Sequence, residues 1–578
     1  MSKQKYIKEC NLHNIPCNAG ESRDDIETRY EAFYNTWYEN KKKQSLLDSE
    51  SVVSENFSSS SLNNVVNFIP PKNIQQAKRY DDWKDWEKAL HDEEDSLWER
   101  ETFRHFPINE VPKESKIISY KYLFNYKLNE KDALDKHKVR LVARGFDQIN
   151  GIDYDETYAP VARAAAIRIF VTAAVNKGHS IHQMDVKTAF LYGKIDKDIY
   201  MDQPKEFKNY VENCCLKLEK SLYGLKQASK IWYETIKKAL LDDGFCESSA
   251  SPCLFFKGDV YILLYVDDMI ISGNDEGINC TKKLLSSKFQ MKDMGEVKYF
   301  LNILFTKTRD GGYILTQSNK IQRMLVELDM WECNPSHVPI HNGTVADSPL
   351  MNNDNYTKIL AKIQNIARHT RPDLSFAVSK LYRYIKSPTE FNWSQIKNIL
   401  RYLKKTINYG IKIVKENNNA ISSYVDADFA KDEIDGKSTS GLVVFIGTTP
   451  VVWESTKQET VSLSTMESEY YALTASIKRS IWTKKIMKEF FPNFLEQPIL
   501  TYEDNEACIK FSKGNATLHK RTMHIDRKGF FVRDNINKNI VDVTSVSSAE
   551  NIADIFTKPL RRTAFERHRN YLCAPNDK

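Results

Sequence analysis

Short apolar runs and amphipathic stretches alternate along most of the chain. After Tyr80, five apolar residues recur at helical spacing: Trp83, Trp86, Leu90, Leu97 and Trp98. Further helices are predicted over Ile167–Asn176 and Ala228–Asp242, and a strand pair is predicted at the glycine pair 311–312. The mixture of the two periodicities predicts an α/β (α+β) chain.

Polar spans divide these patterned regions. Residues 41–64 are Ser-rich and lack apolar periodicity, which is typical of a linker. A second polar span, residues 341–356, precedes a helical region, and a new mixed unit with alternating strands begins at Ile421. At 578 residues the chain is long enough for three or four domains of about 150 residues each, so we predict a multidomain protein.

Charge is distributed unevenly along the chain. Residues 1–115 carry 16 basic and 22 acidic side chains, whereas the remainder carries 67 and 55. A basic body suits a polyanionic partner, although a mildly basic surface without a partner has the same composition. The sequence has no apolar run of membrane-spanning length and no signal peptide, and its ten cysteines are scattered, so we expect an intracellular protein with reduced thiols.

Two adjacent acids interrupt an apolar run in the segment YILLYVDDMIISG, residues 261–273. The flanks are apolar and β-branched, which predicts a strand, a tight turn with Asp267 and Asp268, and a second strand. Buried carboxylates lose hydration, and oxygen ligands of this kind suit divalent cations. The alternative is an ordinary Asp-Asp turn between two buried strands.

A third acid, Asp185, follows another strand-like stretch in the segment HQMDVKTAF. It could face Asp267 and Asp268 across a sheet, and three carboxylates in one cleft need cations to offset their repulsion. Two divalent ions held between carboxylates and substrate phosphates can activate a 3′-hydroxyl and stabilise the leaving pyrophosphate. That chemistry is nucleotidyl transfer.

Several long segments, in fixed order, resemble the reverse transcriptase of copia-type LTR retrotransposons. They are KVRLVARGFDQINGIDYDETYAPVARAAAIRIF, HQMDVKTAFLYGKIDKDIYMDQP, CLKLEKSLYGLKQASKIWYE and LLYVDDMIISG. The resemblance implies a right-hand polymerase fold with fingers, palm and thumb. It also implies that Asp185, Asp267 and Asp268 are the catalytic, metal-binding aspartates of the palm.

The resemblance implies nucleotide-binding roles for six further residues: Lys138, Arg140, Phe190, Tyr223, Gly224 and Lys226. Phe190 matches the aromatic residue that blocks a ribose 2′-hydroxyl, but a core phenylalanine is the alternative. Lys138 and Arg140, with Arg144, could pair with the triphosphate, or they could be ordinary strand-edge charges. Tyr223, Gly224 and Lys226 match a nucleotide-pocket turn.

A second set of acids lies in four separate segments: SYVDADF, STMESEYYAL, TYEDNEACI and NIADIFTKPL. These segments resemble the RNase H domain that ends copia-type polyproteins. The resemblance implies that Asp426, one of Glu467 and Glu469, Asp504 and Asp554 hold two metals for phosphodiester hydrolysis.

Helix geometry places the two glutamates about 200° apart, and we favour Glu469, which shares the side of Ala472 and Leu473. His519 and His524 could hold phosphate, or could lie at a solvated helix start.

The resemblance and the composition together divide the chain into five regions. These are an acidic, Ser-rich and mostly disordered N-terminal linker (1–78), the reverse transcriptase (79–340), a connection segment (341–420), an RNase H-like domain (421–562) and a C-terminal tail (563–578). Protease, integrase and zinc-knuckle motifs are not recognisable, so we expect a 3′ fragment of an element that begins at an internal methionine.

Two departures from the family pattern bear on activity. Lys437 stands where the family usually has arginine, and Lys362, Gln364, Asn365 and Arg368 enter a usually apolar helix before TRPD. A decayed or domesticated protein that binds nucleic acid without turnover is therefore one alternative, and a polymerase restricted to DNA templates is another. The intact acids favour an RNA-directed DNA polymerase with a fused RNase H.

The implied cofactors are two Mg²⁺ or Mn²⁺ ions per active site. The implied partners are an RNA template, a DNA primer, the RNA/DNA hybrid and dNTPs, together with capsid and integrase proteins encoded elsewhere in the element. No membrane partner is expected. The implied location is the cytoplasm, within virus-like particles, or the nucleus.

Overall fold

The computed structural model describes residues 70–128, 134–343, 348–351, 353–492, 494, 497–514 and 526–576. The chain divides into two compact units: Met1–Pro71 with Asn125–Lys138, and Lys72–Phe124 with Val139–Lys578. In the first unit the described residues include the facing ends of two strands, where the rings of Tyr126 and His137 lie 5.1 Å apart. The rest of the description concerns the second unit.

The helices of the described residues vary from one turn to seven. They are α1 (Ile74–Ala77), α2 (Trp83–Glu99), α3 (Ala164–Lys177), α4 (Ala228–Asp242), α5 (Asp275–Lys288), α6 (Ser318–Glu327), α7 (Asn353–His369), α8 (Ser375–Tyr382), α9 (Glu390–Lys405), α10 (Thr465–Phe490), α11 (Glu506–Ser512), α12 (Asp526–Asn537) and α13 (Arg562–Leu572). Short 3₁₀ helices include Ala189–Tyr192 and Ile552–Phe556.

The strands are mostly short. They are β1 (Phe103–Pro107), β2 (Ile117–Ile118), β3 (Tyr120–Leu128), β4 (Leu134–Ala143), β5 (Ser180–Val186), β6 (Lys194–Met201), β7 (Cys214–Lys220), β8 (Cys246–Glu247), β9 (Leu254–Lys257), β10 (Val260–Tyr265), β11 (Asp268–Gly273), β12 (Met291–Glu296), β13 (Tyr299–Phe300), β14 (Ile303–Lys307), β15 (Tyr313–Thr316), β16 (Tyr409–Ile413), β17 (Ile421–Asp428), β18 (Thr439–Ile446), β19 (Thr449–Lys457), β20 (Ile499–Glu503), β21 (Val541–Ser545) and β22 (Ala574–Pro575).

The strands form five sheets. Their orders are β1-β7-β6-β2, β12-β5-β11-β10-β9-β8, β13-β14-β15-β16-β22, β19-β18-β17-β20-β21 and β3-β4. Helices and sheets therefore mix throughout, and the predicted fold class, a mixed α/β chain of several domains, is confirmed. The described residues contain no helix that is long and apolar enough to cross a membrane.

The predicted helices form where apolar spacing required them. Trp86, Leu90 and Leu97 of α2 are buried, as the shared face predicted. Helix α4 has the predicted bounds, and the strand pair β14 and β15 meets at Gly311, whose φ of +82° a glycine tolerates. Folded structure begins earlier than residue 79, because α1 lies before it and buries Ala77.

The last sheet combines two strand directions. Strands β17, β18 and β19 are antiparallel neighbours, whereas β20 and β21 run parallel to β17. Helix α10 packs against β17 and β18 and covers one face of this sheet. This is the RNase H-like arrangement that the resemblance implied, and its first strand, β17, starts at Ile421.

The third sheet joins three of the regions that the sequence separated. Strand β16, from the predicted connection, pairs with β15 of the predicted polymerase and with β22 of the predicted tail. The ring of Tyr261 in β10 also stacks on Phe490 of α10, with centroids 4.1 Å apart. The five regional boundaries stay predictions, but these elements form one packed body within the second unit.

The departures from the family pattern are accommodated. In α7, Lys362 pairs with Glu327 at 2.6 Å, Gln364 accepts a hydrogen bond from the Tyr382 hydroxyl at 2.7 Å, and Asn365 accepts one from Lys320 at 2.5 Å. The apolar face of the helix, which includes Tyr356, Leu360 and Ile363, is buried. Lys437 lies 3.5 Å from Asp435.

Candidate active sites

The predicted hairpin forms, and its turn is tightly held. Strands β10 and β11 are antiparallel, with Tyr265 opposite Asp268, so the turn consists of Val266 and Asp267. Val266 adopts a left-handed φ of +57°, which is unusual for a β-branched residue. Its carbonyl accepts a 2.6 Å hydrogen bond from the indole of buried Trp232, which stabilises this conformation.

Strand register brings the third aspartate to the hairpin. Strand β11 also pairs with β5, and Asp268 lies directly opposite Asp185. The backbone N–H of Val186 donates a 2.9 Å hydrogen bond to the carbonyl of Asp267, so the turn itself is fastened to β5. All three aspartates are half-buried at one end of the six-stranded sheet. An ordinary Asp-Asp turn would not require an acid opposite it, so this placement favours a functional cluster.

Phe190 lies in a chain of aromatic and cationic contacts. It is half-buried in the 3₁₀ helix after Thr188, and its ring meets that of Tyr223 edge-to-face at 5.0 Å. The guanidinium of Arg140 lies over the Tyr223 ring, with its central carbon 4.7 Å from the ring centroid. Burial raises the pKa of Tyr223 to about 12, with Asp267 and Asp185 adding to the rise, so the tyrosine lies within electrostatic reach of the aspartates.

The turn that carries Gly224 packs tightly against the end of β4. The N–H of Ala143 donates a 2.8 Å hydrogen bond to the Tyr223 carbonyl. A Cβ at Gly224, whose φ is +92°, would lie 2.1 Å from the Ala143 carbonyl, so only glycine fits there. Close backbone approach was predicted for this glycine, but the backbone that approaches is the chain's own.

The contacts of the two lysines among the six predicted nucleotide-binding residues do not distinguish a nucleotide-binding role from a structural one. Lys226 donates a 2.9 Å hydrogen bond to the Tyr154 hydroxyl and lies over its ring. Lys138 is half-buried on β4 in the first unit. The nucleotide-binding roles of all six residues stay predictions.

The C-terminal acids converge from four elements. Asp426 lies on β17 and Asp504 directly follows the parallel neighbour β20, so both emerge at the same end of the sheet. Asp554 comes from the 3₁₀ helix Ile552–Phe556. One carboxylate oxygen of each of these three residues lies within 4.8 Å of the other two.

Two residues, Asn551 and Gly441, determine where the 3₁₀ helix that carries Asp554 lies. Asn551 caps its 3₁₀ helix and donates a 2.9 Å hydrogen bond to the Val425 carbonyl of β17. Gly441 lies opposite Asp426 in β18, and a Cβ there would be 2.8 Å from the Cβ of Phe556. The small residue therefore lets the 3₁₀ helix approach the strand that carries Asp426.

Glu469 belongs to this cluster and Glu467 does not. An oxygen of Glu469 lies within 4.8 Å of oxygens of Asp504 and of Glu503. Glu467 instead accepts a 2.7 Å hydrogen bond from the N–H of Leu463 at the start of α10, where Ser464 is the N-cap. The structure thus separates the two glutamates as the helix rotation predicted, and the role of Glu469 as a ligand stays a prediction.

Glu503 is the residue that sequence reasoning missed. It is fully buried on the face of β20 that α10 covers, next to Glu469. The alternation of strand β20 could have indicated this residue, because Ile499, Thr501 and Glu503 share one face. An acid that alternates with an apolar residue in this way is expected to point into the core. Thr557 and Lys558 were also missed: Thr557 donates a hydrogen bond to Asp426, and Lys558 lies 2.7 Å from Asp554.

Burial dominates the electrostatics of this cluster. It raises the pKa of Glu469 to about 11, of Glu503 to about 8 and of Asp554 to about 6, and neighbouring carboxylates add to each rise. The pKa of Asp426 is also raised, mainly by burial, although Lys558 opposes the shift. Carboxylates crowded in a dry site favour the protonated form unless a cation offsets their charge.

The residues present fit a pair of divalent cations. The cluster offers five carboxylates but only one nearby lysine, and two buried oxygens, Oε2 of Glu469 and Oε2 of Glu503, have no hydrogen-bond partner among the described residues. Unpaired carboxylate oxygens are the ligands that Mg²⁺ and Mn²⁺ prefer. The three hairpin aspartates are not among the described acid groups whose oxygens all lie within 4.8 Å of one another. His519 and His524 lie outside the described residues.

Comparison with known proteins identifies the family. Residues 103–342 match the family described as reverse transcriptase (RNA-dependent DNA polymerase). The chain is 36% identical over 473 residues to a retrovirus-related Pol polyprotein from transposon RE1 of Arabidopsis thaliana, covering 79% of this chain and 31% of that protein. It is 31% identical over 304 residues to a transposon Ty5-1 protein of Saccharomyces cerevisiae, covering 51% of this chain and 98% of that protein.

The chain belongs to the copia-type Pol polyprotein family. It contains the reverse transcriptase domain of that family, and it spans about a third of the length of the RE1 polyprotein. Among solved structures, it is similar to a foamy viral protease-reverse transcriptase in complex with double-stranded DNA, at 13% identity and a TM-score of 0.46, over 95% of this chain and 82% of that one.

Proposed function

We propose that this member of the copia-type family is an RNA-directed DNA polymerase with a fused RNase H. The observation that carries the proposal is the pairing of Asp185 with Asp268 across β5 and β11, which adds a third acid to the Asp267–Asp268 turn within the family's reverse transcriptase region. The second acid cluster, in an RNase H-like sheet, supports the hydrolytic activity.

In the polymerase site, Asp185, Asp267 and Asp268 would hold two Mg²⁺ or Mn²⁺ ions. Bound ions of this kind lower the pKa of a primer 3′-hydroxyl and neutralise charge on a leaving pyrophosphate. The protein's own contribution is positional: the register of β11 against β5 and the Trp232 hydrogen bond to the turn keep the carboxylates in place. The ring of Phe190, supported by Tyr223, would exclude the 2′-hydroxyl of a ribonucleotide.

In the hydrolytic site, Asp426, Glu469, Asp504 and Asp554 would hold the second pair of ions. Ions bound there would supply the activation of water that hydrolysis of the RNA strand of a hybrid requires. Lys558 partly neutralises Asp426 and Asp554, and Thr557 orients Asp426 through its hydroxyl.

The proposed partners are an RNA template, a DNA primer, their hybrid and dNTPs, with capsid and integrase proteins of the element as further partners. The excess of basic residues beyond residue 115, 67 against 55 acidic, supports contact with nucleic-acid phosphates. The alternative function is that of a decayed protein that only binds nucleic acid, and one argument for it was the presence of polar residues in α7. Three of these side chains have partners, so the helix gives that alternative no support.

The proposal is tested by extension of an oligo(dT) primer on poly(rA) with the purified chain and Mg²⁺ or Mn²⁺. A matched poly(dA) template separates RNA-directed synthesis from a polymerase that uses DNA alone. Cleavage of the RNA strand in a labelled hybrid is measured in parallel. Extension on poly(rA) together with hybrid cleavage supports the full proposal, whereas binding of both substrates without either reaction supports the decayed alternative.

A further inference from the structure

A cavity of about 600 Å³ lies within the second unit, where the predicted polymerase, connection and RNase H-like regions meet. None of the acids of the two clusters is among its lining residues. Its wall is formed by the start of α3, by α7 and α8, by β19 and by α10. This volume is within the range of about 300–1,000 Å³ that is typical of small-molecule sites. The mechanism proposed above does not use the cavity.

Arginines dominate the charge of the cavity. The charged side chains that line it are those of Arg163, Arg168, Arg368, Arg479 and Glu454. Glu454 is already engaged, because one of its oxygens lies 2.6 Å from Nε of Arg479. The lining therefore retains an excess of positive charge that no carboxylate of the lining offsets.

Arg168 is the most informative of these residues. Its side chain is almost fully buried, with 4% of the residue exposed, and its guanidinium stacks on the ring of Trp453 at 3.6 Å. Nε and Nη1 donate only to backbone carbonyls, those of Val451, Arg368 and His369, at 2.8 to 3.1 Å. Within the described part of the chain, it has no ion pair with a carboxylate. A buried charge without a counter-ion is costly, so this one invites an anion.

The backbone at the cavity also favours the binding of an anion. Helix α3 begins at Ala164, and its N-cap residue Arg163 makes no side-chain capping hydrogen bond. The N–H groups of Ala164 and Ala165, which both line the cavity, donate to no other described residue. Arg168 is one turn further along the same helix, so free N–H groups and a buried guanidinium share one face. Helix N-termini and arginines are the two groups that proteins use most to bind phosphate.

We propose that this cavity binds a small polyphosphate, either free pyrophosphate or the phosphate chain of a nucleotide. A nucleic-acid duplex fits less well, because phosphates on its wide backbone reach a buried arginine less easily than a small anion that enters the cavity. Burial, together with the like charge of Arg368, lowers the pKa of Arg168 to about 9, which is a cost that a bound anion would relieve.

The site would lie between the helix that supports the polymerase sheet and the edge strand of the RNase H-like sheet. Helix α3 packs against β5 on one side and against β19 on the other. A bound polyphosphate would contact residues of both regions, because Arg163 and Arg479 lie on α3's start and on α10 respectively. Binding should therefore stabilise the second unit against heat.

The test measures binding of pyrophosphate, ATP and orthophosphate to the full chain by calorimetry at constant ionic strength. EDTA is present, so that neither acid cluster can hold a metal–nucleotide complex. We expect saturable binding of pyrophosphate and a rise in the melting temperature. Equal affinity for ATP and pyrophosphate would identify free polyphosphate as the ligand, and tighter binding of ATP would identify a nucleotide.

The variant for this test is R163Q/R368Q, because both side chains are exposed and their loss should leave the fold intact. It should weaken pyrophosphate binding by at least about tenfold. The matched control R309Q removes an exposed arginine from the β14–β15 turn, outside the cavity, and should bind like the parent.

Three results would overturn the proposal: no saturable binding by the parent chain, equal binding by R163Q/R368Q, or displacement of pyrophosphate by a single-stranded oligonucleotide that itself needs these arginines. Since the readout involves neither DNA synthesis nor RNA cleavage, such a failure would leave the proposed enzymatic function untouched.

Discussion

The two acid clusters of this chain are built in opposite ways. The hairpin cluster takes its three aspartates from β5, β11 and the turn before β11 and leaves them half-buried, whereas the C-terminal cluster draws its carboxylates from four elements and buries most of them. Burial raises the pKa of Glu469, Glu503 and Asp554, so the C-terminal cluster is the one that most needs a cation to remain charged. A cluster of carboxylates can therefore be brought together by strand register alone or by the convergence of several elements in a packed core.

The largest expected effect is the loss of DNA synthesis without loss of RNA cleavage when one hairpin aspartate is changed. Asp268→Asn removes one charge from the hairpin but keeps the register with β5. We expect DNA synthesis on poly(rA) to fall by about 1,000-fold or more, near 4 kcal/mol of transition-state stabilisation, while hybrid cleavage persists. Primer extension and hybrid cleavage are measured on the same preparation.

Asp310→Asn is the control for this variant, since it alters an exposed acid in the turn between β14 and β15. Full polymerase activity in Asp268→Asn would remove this residue from the site. Full activity in both Asp185→Asn and Asp267→Asn would end the two-metal interpretation of the hairpin.

The next effect should distinguish the neighbouring glutamates of α10. Glu469→Gln removes a carboxylate that lies with Asp504, and we expect hybrid cleavage to fall by about 100-fold or more with polymerase activity retained. Glu467→Gln should cleave normally and lose about 1 kcal/mol of stability, because Glu467 accepts a hydrogen bond from Leu463 at the helix start. Circular dichroism checks the fold of each variant. The reverse pattern would mean that Glu467 is the ligand.

A smaller effect concerns the ring beside the hairpin. Phe190→Val removes the edge-to-face contact with Tyr223 and opens the space next to the aspartates. We expect the ratio of kcat/KM for dNTP over rNTP to fall by about tenfold or more, which is about 1.4 kcal/mol of discrimination. Tyr223→Phe keeps a ring at the supporting position and should preserve the ratio. An unchanged ratio in Phe190→Val would make this ring a packing residue.

The last expected effect is a dependence of stability on pH to which the C-terminal cluster should contribute. Folding raises the pKa of Glu503 to about 8 and of Asp554 to about 6, so the folded protein binds more protons than the unfolded chain above the ordinary carboxyl range. The contribution of this cluster to the stability of the metal-free protein should therefore fall as pH rises from about 5 to 8, whereas half-buried His369 and buried His568, whose pKa values are lowered by burial to about 4, contribute stability that rises up to about pH 6.5. Thermal unfolding in EDTA measures the slope, and Mg²⁺ should reduce it.

The double variant Glu469→Gln/Glu503→Gln should show a shallower slope in EDTA and should respond less to Mg²⁺. A slope that survives the double variant would place its origin outside this cluster.

The local pattern of apolar and polar residues determined most of the individual helices and strands that were predicted. The alternation around Asp267 predicted the hairpin, helical spacing predicted α2 and α4, and Asp185, Asp426 and Asp504 drew attention because each follows a strand-like run. These features depend on residues that are close in sequence, and hydrophobic periodicity reports them directly.

Only the tertiary structure decided which residues meet. Glu503 joins Glu469 because β20 lies parallel to β17 under α10, and Arg168 meets Trp453 across 285 positions of sequence because α3 packs on β19. Sheet order and helix docking set such contacts, and these depend on the burial of whole faces. No local pattern encodes which distant face will cover a given residue, so the buried fifth acid and the arginine-lined cavity could be found only in the folded chain.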